Sequence, residues 1–268
     1  MKIRFAQPHP LLSDYIERYW SWESENETPY NMPHVAPGTG VDFYFHYQQP
    51  FNVNYHGTLP VSHLIYSAKQ SCKILPAGNI GFVAVRFRCA MFGNFAKMPL
   101  YELADSYADA EAIWKLKGKQ LENQITETPT FEERIELLEI FFLQQLDACK
   151  KSVSVWKGVV DELYYKHEDV RLDQLAKELK ITPRHFRRSF YDVSGMAPKR
   201  FQQLSRFKAV LKQLLINNDT NYLPIALEHG YFDQMHFIKE FKNFMGITPS
   251  SFLTANCFQS HFYYKSLR

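Results

Sequence analysis

Residues 230–252, GYFDQMHFIKEFKNFMGITPSSF, restate a stretch 51 positions earlier, KITPRHFRRSFYDVSGMAPKRF at 180–201. At that offset Thr182 falls over Asp233, His185 over His236, Phe186 over Phe237 and Phe190 over Phe241. The register holds through Gly195 over Gly246, Pro198 over Pro249 and Phe201 over Phe252. Upstream, Leu175-Ala176 echoes Ile225-Ala226 with one residue of slippage. A fixed-period echo is one supersecondary unit used twice.

Each copy reads as a capped helix. Thr182 is a good N-cap, and Pro183 fits the first helical position, where its missing N–H costs nothing. Gly195 can take the left-handed conformation that ends a helix, and Asp233 and Gly246 repeat these signals. On a helical wheel Phe186 and Phe190 sit at about 0° and 40°, while Arg184, Arg187, Arg188 and Tyr191 span about 100–200°. One side is greasy and the other basic. In the second copy Phe237, Phe241 and Phe244 form the buried side, with Met235, Lys239 and Lys242 outward.

A shorter helical segment precedes each, RLDQLAKELK and NYLPIALEHG, with Gly230 allowing a sharp turn in the second. Helix, tight turn and basic helix make a helix-turn-helix, whose second helix enters the major groove of DNA. A plain helical bundle with solvated arginines is the alternative for one copy; two copies with matching caps argue against it. Between the copies, residues 198–218 place Phe201, Leu204, Phe207, Leu211, Leu214 and Leu215 on one face. Twenty helical residues span about 30 Å, close to the roughly 34 Å between successive major-groove faces. One rigid helix can therefore hold two readers in adjacent grooves.

The rest of the chain is consistent with this. Residues 1–150 carry 13 Lys and Arg against 17 Asp and Glu, and residues 151–268 carry 18 against 11, or −4 against +7. A basic C-terminal half points to a nucleic-acid partner. No apolar run reaches the roughly 18–20 residues of a membrane span. The first residues lack a signal-peptide core, and Cys72, Cys89, Cys149 and Cys257 match no zinc spacing. A soluble, cytoplasmic protein with reduced thiols is expected.

The first 90 residues read as strands at 15–22, 41–47, 62–68 and 81–89, separated by Pro, Gly and Asn, as in a β-sandwich or barrel. From Ala90 the pattern turns helical. Thr130 and Glu133 form a capping-box signal ahead of Phe131, Ile135, Leu138, Phe142 and Leu146 at helical spacing. That stripe is expected to be core for the most part, with a dimer contact as the alternative. The polar CKKS at 149–152 divides the chain into domains 1–150 and 151–268. The expected fold class is α+β, with a mainly β N-terminal domain and an all-α tandem helix-turn-helix.

The second copy closely resembles the signature of the AraC/XylS family of bacterial transcription regulators. The residues that match are Ile225, Ala226, Gly230, Tyr231, Asp233, His236, Phe237, Lys239, Phe241, Lys242, Gly246, Thr248 and Pro249. The likeness covers about residues 153–255. Tyr231 stands for Phe, Met235 for Ser and Lys239 for Arg, the last losing the guanidinium fork that reads guanine. The resemblance implies base-facing positions at Arg184, Arg187 and Arg188 in the first helix and Gln234, Met235, Ile238 and Lys239 in the second. Arginines can read guanine or hold phosphate, and that choice stays open. His185 and His236 are expected to be structural or to touch phosphate. The family also implies activation through RNA polymerase, a homodimer in some members, and a cupin-like N-terminal barrel that binds an effector. Residues 8–20 and 83–105 resemble an uncharacterised sensor domain found ahead of such DNA-binding domains.

Arg86 and Arg88 lie two apart on a strand, so they share a face and could bind an anionic ligand. That they face solvent, or pair with Asp42 or a glutamate, is the competing reading. His34, His46, His56 and His63 lack a His-x-His spacing, so no metal and no cofactor is expected. A cupin-type enzyme and a DNA-independent interaction protein are the rival functions. A repair methyltransferase needs a Pro-Cys-His nucleophile, which no cysteine here has.

Overall fold

Strands form where aromatic and β-branched residues cluster. The computed structural model describes residues 2–24, 34–53, 57–66, 71–75, 78–104, 107–149, 156–166, 170–217 and 221–254. Its strands are β1 (Lys2–Ala6), β2 (Ile16–Glu23), β3 (His34–Val35), β4 (Val41–His46), β5 (Asn52–Val53), β6 (Gly57–Thr58), β7 (Ser62–Ile65), β8 (Cys72–Leu75) and β9 (Gly81–Phe87). They build two antiparallel sheets, in the orders β1-β2-β9-β4-β7 and β3-β8-β5-β6. The four strands expected from sequence fall on β2, β4, β7 and β9, all in the larger sheet; residues 67–68 of the third lie outside the described residues.

The larger sheet is buried on both faces. Tyr19, Phe43, Phe45, Val83, Val85 and Phe87 pack toward the helices. Trp20, Trp22, Tyr44, Phe82 and Ala84 pack with Phe51 and Val53 beneath the smaller sheet. This double burial explains why β9 reads as one apolar run rather than an alternating one. The barrel expected by resemblance does not close: among the described residues the two sheets share no strand pairing. Strands β3, β5 and β6 are two residues each, too short to carry a hydrogen-bond ladder round a barrel.

The helices are α1 (Leu100–Leu103), α2 (Ala110–Trp114), α3 (Leu116–Glu127), α4 (Phe131–Cys149), α5 (Trp156–Tyr165), α6 (Leu172–Glu178), α7 (Pro183–Ser194), α8 (Pro198–Asn217), α9 (Tyr222–Glu228), α10 (Gln234–Met245) and α11 (Pro249–Thr254). At the start of α4, Glu133 N–H donates to Thr130 Oγ1 at 3.3 Å. The Glu133 carboxylate accepts from the Thr130 hydroxyl at 2.6 Å, a variant of the expected box. Phe131, Ile135, Leu138 and Phe142 are buried in the main core, with Phe142 against Phe87 and Phe95. No helix of the described residues is long and apolar enough to cross a membrane.

The proposed division at 149–152 falls mostly outside the described residues. On either side of it the halves are packed together, and one apolar cluster runs from Leu12 to Leu253.

Candidate nucleic-acid interface

Two turns place the two basic helices. In the first, Lys180 sits at φ 55° between α6 and α7; in the second, Gly230 sits at φ 75° between α9 and α10. Ile181 N–H donates to Ala176 O at 3.0 Å and Tyr231 N–H to Ala226 O at 3.1 Å, so these turns superpose residue for residue. The slippage in the sequence is then located: Phe232 is the extra residue before the second cap. Thr182 Oγ1 accepts from His185 N–H at 3.2 Å, and Asp233 Oδ1 from His236 N–H at 2.7 Å. Gly195 and Gly246 close the helices at φ 72° and 74°.

Beneath α7 and α10 lies an aromatic floor. Phe186 and Phe190 are buried under α7, and Phe237, Phe241 and Phe244 under α10. The 20-residue α8 joins the motifs through buried Phe201, Leu204, Phe207, Leu211, Leu214 and Leu215. Arg184, Arg187 and Arg188 are exposed and form no ion pair among the described residues. Gln234, Met235 and Lys239 are exposed and Ile238 is half-buried. Gln234 Nε2 donates to Tyr222 Oη at 3.2 Å, which holds the amide at the start of α10. His185 and His236 are exposed, and each spends its backbone N–H on its cap.

One lock escaped sequence reading. Glu240, buried on α10, accepts from Arg206 Nη2 on both carboxylate oxygens, at 3.0 and 3.1 Å, and from Tyr231 Oη at 2.5 Å. Burial works against the Arg206 charge, but Glu240 overcomes it and raises its pKa; burial together with Glu240 raises that of Tyr231. The phenol that replaces the family's Phe thus has its partner. Its hydroxyl was the only signal, since Arg206 is 34 residues from Glu240.

The N-terminal half touches both readers. Tyr66 Oη donates to Ser194 O at the end of α7 at 2.5 Å, and Tyr101 stacks on Tyr191 at 5.5 Å. Ser71 donates from N–H and Oγ to Phe244 O and Met245 O at the end of α10, at 2.8 and 2.9 Å.

Between the halves opens a cleft of about 460 Å³. Arg86 lines it, yet pairs with Asp42 across β4 and lies 3.8 Å from Glu17. Burial disfavours the Arg86 charge; Asp42 and Glu17 overcome this and hold its pKa above the ordinary value. Arg88 follows β9 at the same cleft, exposed, its Nε donating to Ser13 O at 2.8 Å. The two arginines expected to share a ligand therefore both border one cavity, one of them already paired. Lys208 of α8 faces them, and burial, with Arg86 alongside, lowers its pKa to about 8. A Cβ on Gly40 would lie 2.8 Å from Phe87 O and 3.2 Å from the Arg86 guanidinium, so this close approach requires glycine.

His46 and His63 stack at 5.1 Å in the smaller core. Burial lowers their pKa values to about 2 and about 4, so both are neutral near pH 7. Among the described residues no group of three or more His, Cys, Asp or Glu is placed to hold a metal ion. His56 lies outside the described residues.

Residues 175–255 match the model of a helix-turn-helix domain, and residues 4–109 that of a domain of unknown function, DUF6597. An uncharacterized HTH-type transcriptional regulator of Haemophilus influenzae is 34% identical over 90 residues, which are 34% of this chain and 30% of that protein. The HTH-type transcriptional regulator Rv1931c of Mycobacterium tuberculosis is 33% identical over 85 residues, 32% of each. The chain thus spans about a third of the length of these relatives. Among solved structures, an apo variant of ToxT from Vibrio cholerae aligns over 93% of this chain and 99% of its own, at 12% identity and a TM-score of 0.47. Wild-type ToxT with a bound unsaturated fatty acid aligns over 87% and 93%, at 13% identity and 0.43. The capped repeat and the matched model agree: residues 175–255 of this chain are a helix-turn-helix domain.

Proposed function

We propose that this protein is a sequence-specific regulator of transcription that binds duplex DNA in two adjacent major grooves. One observation carries the reading: a capped, aromatic-floored reader occurs twice, with exposed cations, at the two ends of a 20-residue helix. Arg184, Arg187, Arg188, Gln234, Met235, Ile238 and Lys239 are the residues assigned to DNA. The domains 1–150 and 151–268 are taken as sensing and DNA-binding parts of a cytoplasmic activator that contacts RNA polymerase, without enzymatic activity. The test is binding of the full chain to a selected duplex against salt. If about six phosphates are neutralised, affinity falls roughly 10³-fold between about 50 and 200 mM salt. Weak binding that ignores salt would reject the reading and favour the DNA-independent interaction protein.

The cleft favours a second element of the same reading, a small anionic effector held between the halves. Lys208 brings a cation beside Arg86 at a seam that both halves line, and an anion there would relieve the crowding of like charges. A Lys208→Met variant that binds DNA normally but no longer answers to any effector is the expected outcome.

A further inference from the structure

The two readers share a scaffold and differ in chemistry. Within the helices, where the 51-residue register holds, Arg184 corresponds to Met235, Arg187 to Ile238 and Arg188 to Lys239. Two of three guanidiniums are replaced by apolar side chains. The extra residue of the second turn is apolar too. Phe232 is 88% exposed and Met235 71% exposed, and they flank the Asp233 cap. Large apolar side chains left bare together mark a surface that another molecule covers. These lie at the leading end of a helix whose counterpart presents arginine, so the cover is continuous with the DNA-facing surface.

Base edges offer a matching difference. Guanine presents O6 and N7, which an arginine fork bonds, whereas thymine presents a C5 methyl that apolar groups meet; adenine, its partner, suits glutamine. We propose that the two helices read chemically unlike half-sites about one helical turn apart. In this assignment α7 reads guanines through Arg184, Arg187 and Arg188. The second helix reads an A·T-rich half-site, with Phe232, Met235 and Ile238 on thymine methyls and Gln234 on adenine. The operator is therefore asymmetric in composition. This inference rests on the regulator reading above and names what each motif recognises.

The experiment separates the two. The full chain is first used to select a site from random duplexes; failure to select any site rejects the regulator reading itself. In the selected duplex, 2′-deoxyuridine then replaces thymidine in one half-site at a time, removing only the methyl groups. Affinity should fall about fourfold for each contacted methyl in one half-site and stay unchanged in the other. Replacing guanine by 7-deazaguanine, which lacks N7, should show the reverse pattern. Met235→Ala should abolish part of the methyl dependence without touching the 7-deazaguanine response, and Arg187→Ala the opposite. Met235→Arg, which restores the residue of the first copy, should move the preferred base at that position toward guanine. The proposal is overturned by methyl dependence in neither half-site, or by its loss in Arg187→Ala rather than Met235→Ala. It is also overturned if Phe232→Ala and Met235→Ala bind DNA unchanged yet fail in transcription, since the patch would then face a protein.

Discussion

Motif one and motif two share a turn, a cap, a stop and an aromatic floor, and are held in place by different means. The second is tied to α8 from within by Tyr231, Glu240 and Arg206. The first has Ser189 where the second has Glu240, and Tyr66, Leu100 and Tyr101 of the N-terminal half brace it from outside, where the second takes Ser71. Buried phenylalanines and helix caps fix the fold, so the outer surfaces and the braces were free to diverge. The two copies keep one geometry and differ in what their outer surfaces present.

Removing the inner brace should have the largest effect. Glu240→Ala leaves Arg206 and Tyr231 without their buried partner and is expected to cost about 3–5 kcal/mol, read as a lowered unfolding midpoint. Ser189→Ala, at the equivalent position, should stay within about 0.5 kcal/mol. Equal losses would mean that the two motifs are braced alike. The glycine stops sharpen the contrast. Both are left-handed, so Gly246→Ala, with open space around it, should cost about 1–2 kcal/mol. Gly195→Ala should cost more, because its Cβ would lie 2.9 Å from the Tyr66 ring and 3.1 Å from Leu100, adding about 1–3 kcal/mol of overpacking. In Tyr66→Ala that excess should shrink.

On DNA the effects are smaller and differ in kind. Arg188→Ala should lose about 1–3 kcal/mol at one base pair and relax specificity there, measured against the selected site and its point variants. Lys239→Ala should weaken selected and random duplexes alike by less, and lower the salt dependence. A separate contrast, on a pH axis, belongs to the N-terminal half. His46 and His63 have folded pKa values below the ordinary 6.5, so the unfolded chain takes up protons first. Stability from the neutral pair is complete above about pH 6.5 and is lost as pH falls, down to about 4 for His63 and about 2 for His46. His46→Phe should flatten that slope in a series of thermal melts.

The reader motifs were legible because their determinants are local: caps, stops and phenylalanines all lie within a dozen residues. Even the inserted Phe232 was visible as a slipped register. Strand positions were equally clear in β2, β4, β7 and β9. What could not be read depends on partners distant in sequence. Arg206 meets Glu240 across 34 residues, and the open barrel follows from two-residue strands with no periodicity to detect; the Arg86–Asp42 pair, 44 residues apart, was legible only as one of two readings of Arg86. Strand β1 was missed because KIRFA alternates too briefly to stand out.

Tyr66 and Ser71 reach the carbonyl ends of α7 and α10 from positions five residues apart. Five residues extend no further than about 18 Å, so the N-terminal half acts as a caliper set across both readers. Any change in the seating of that half bears on the carbonyl ends of both helices at once.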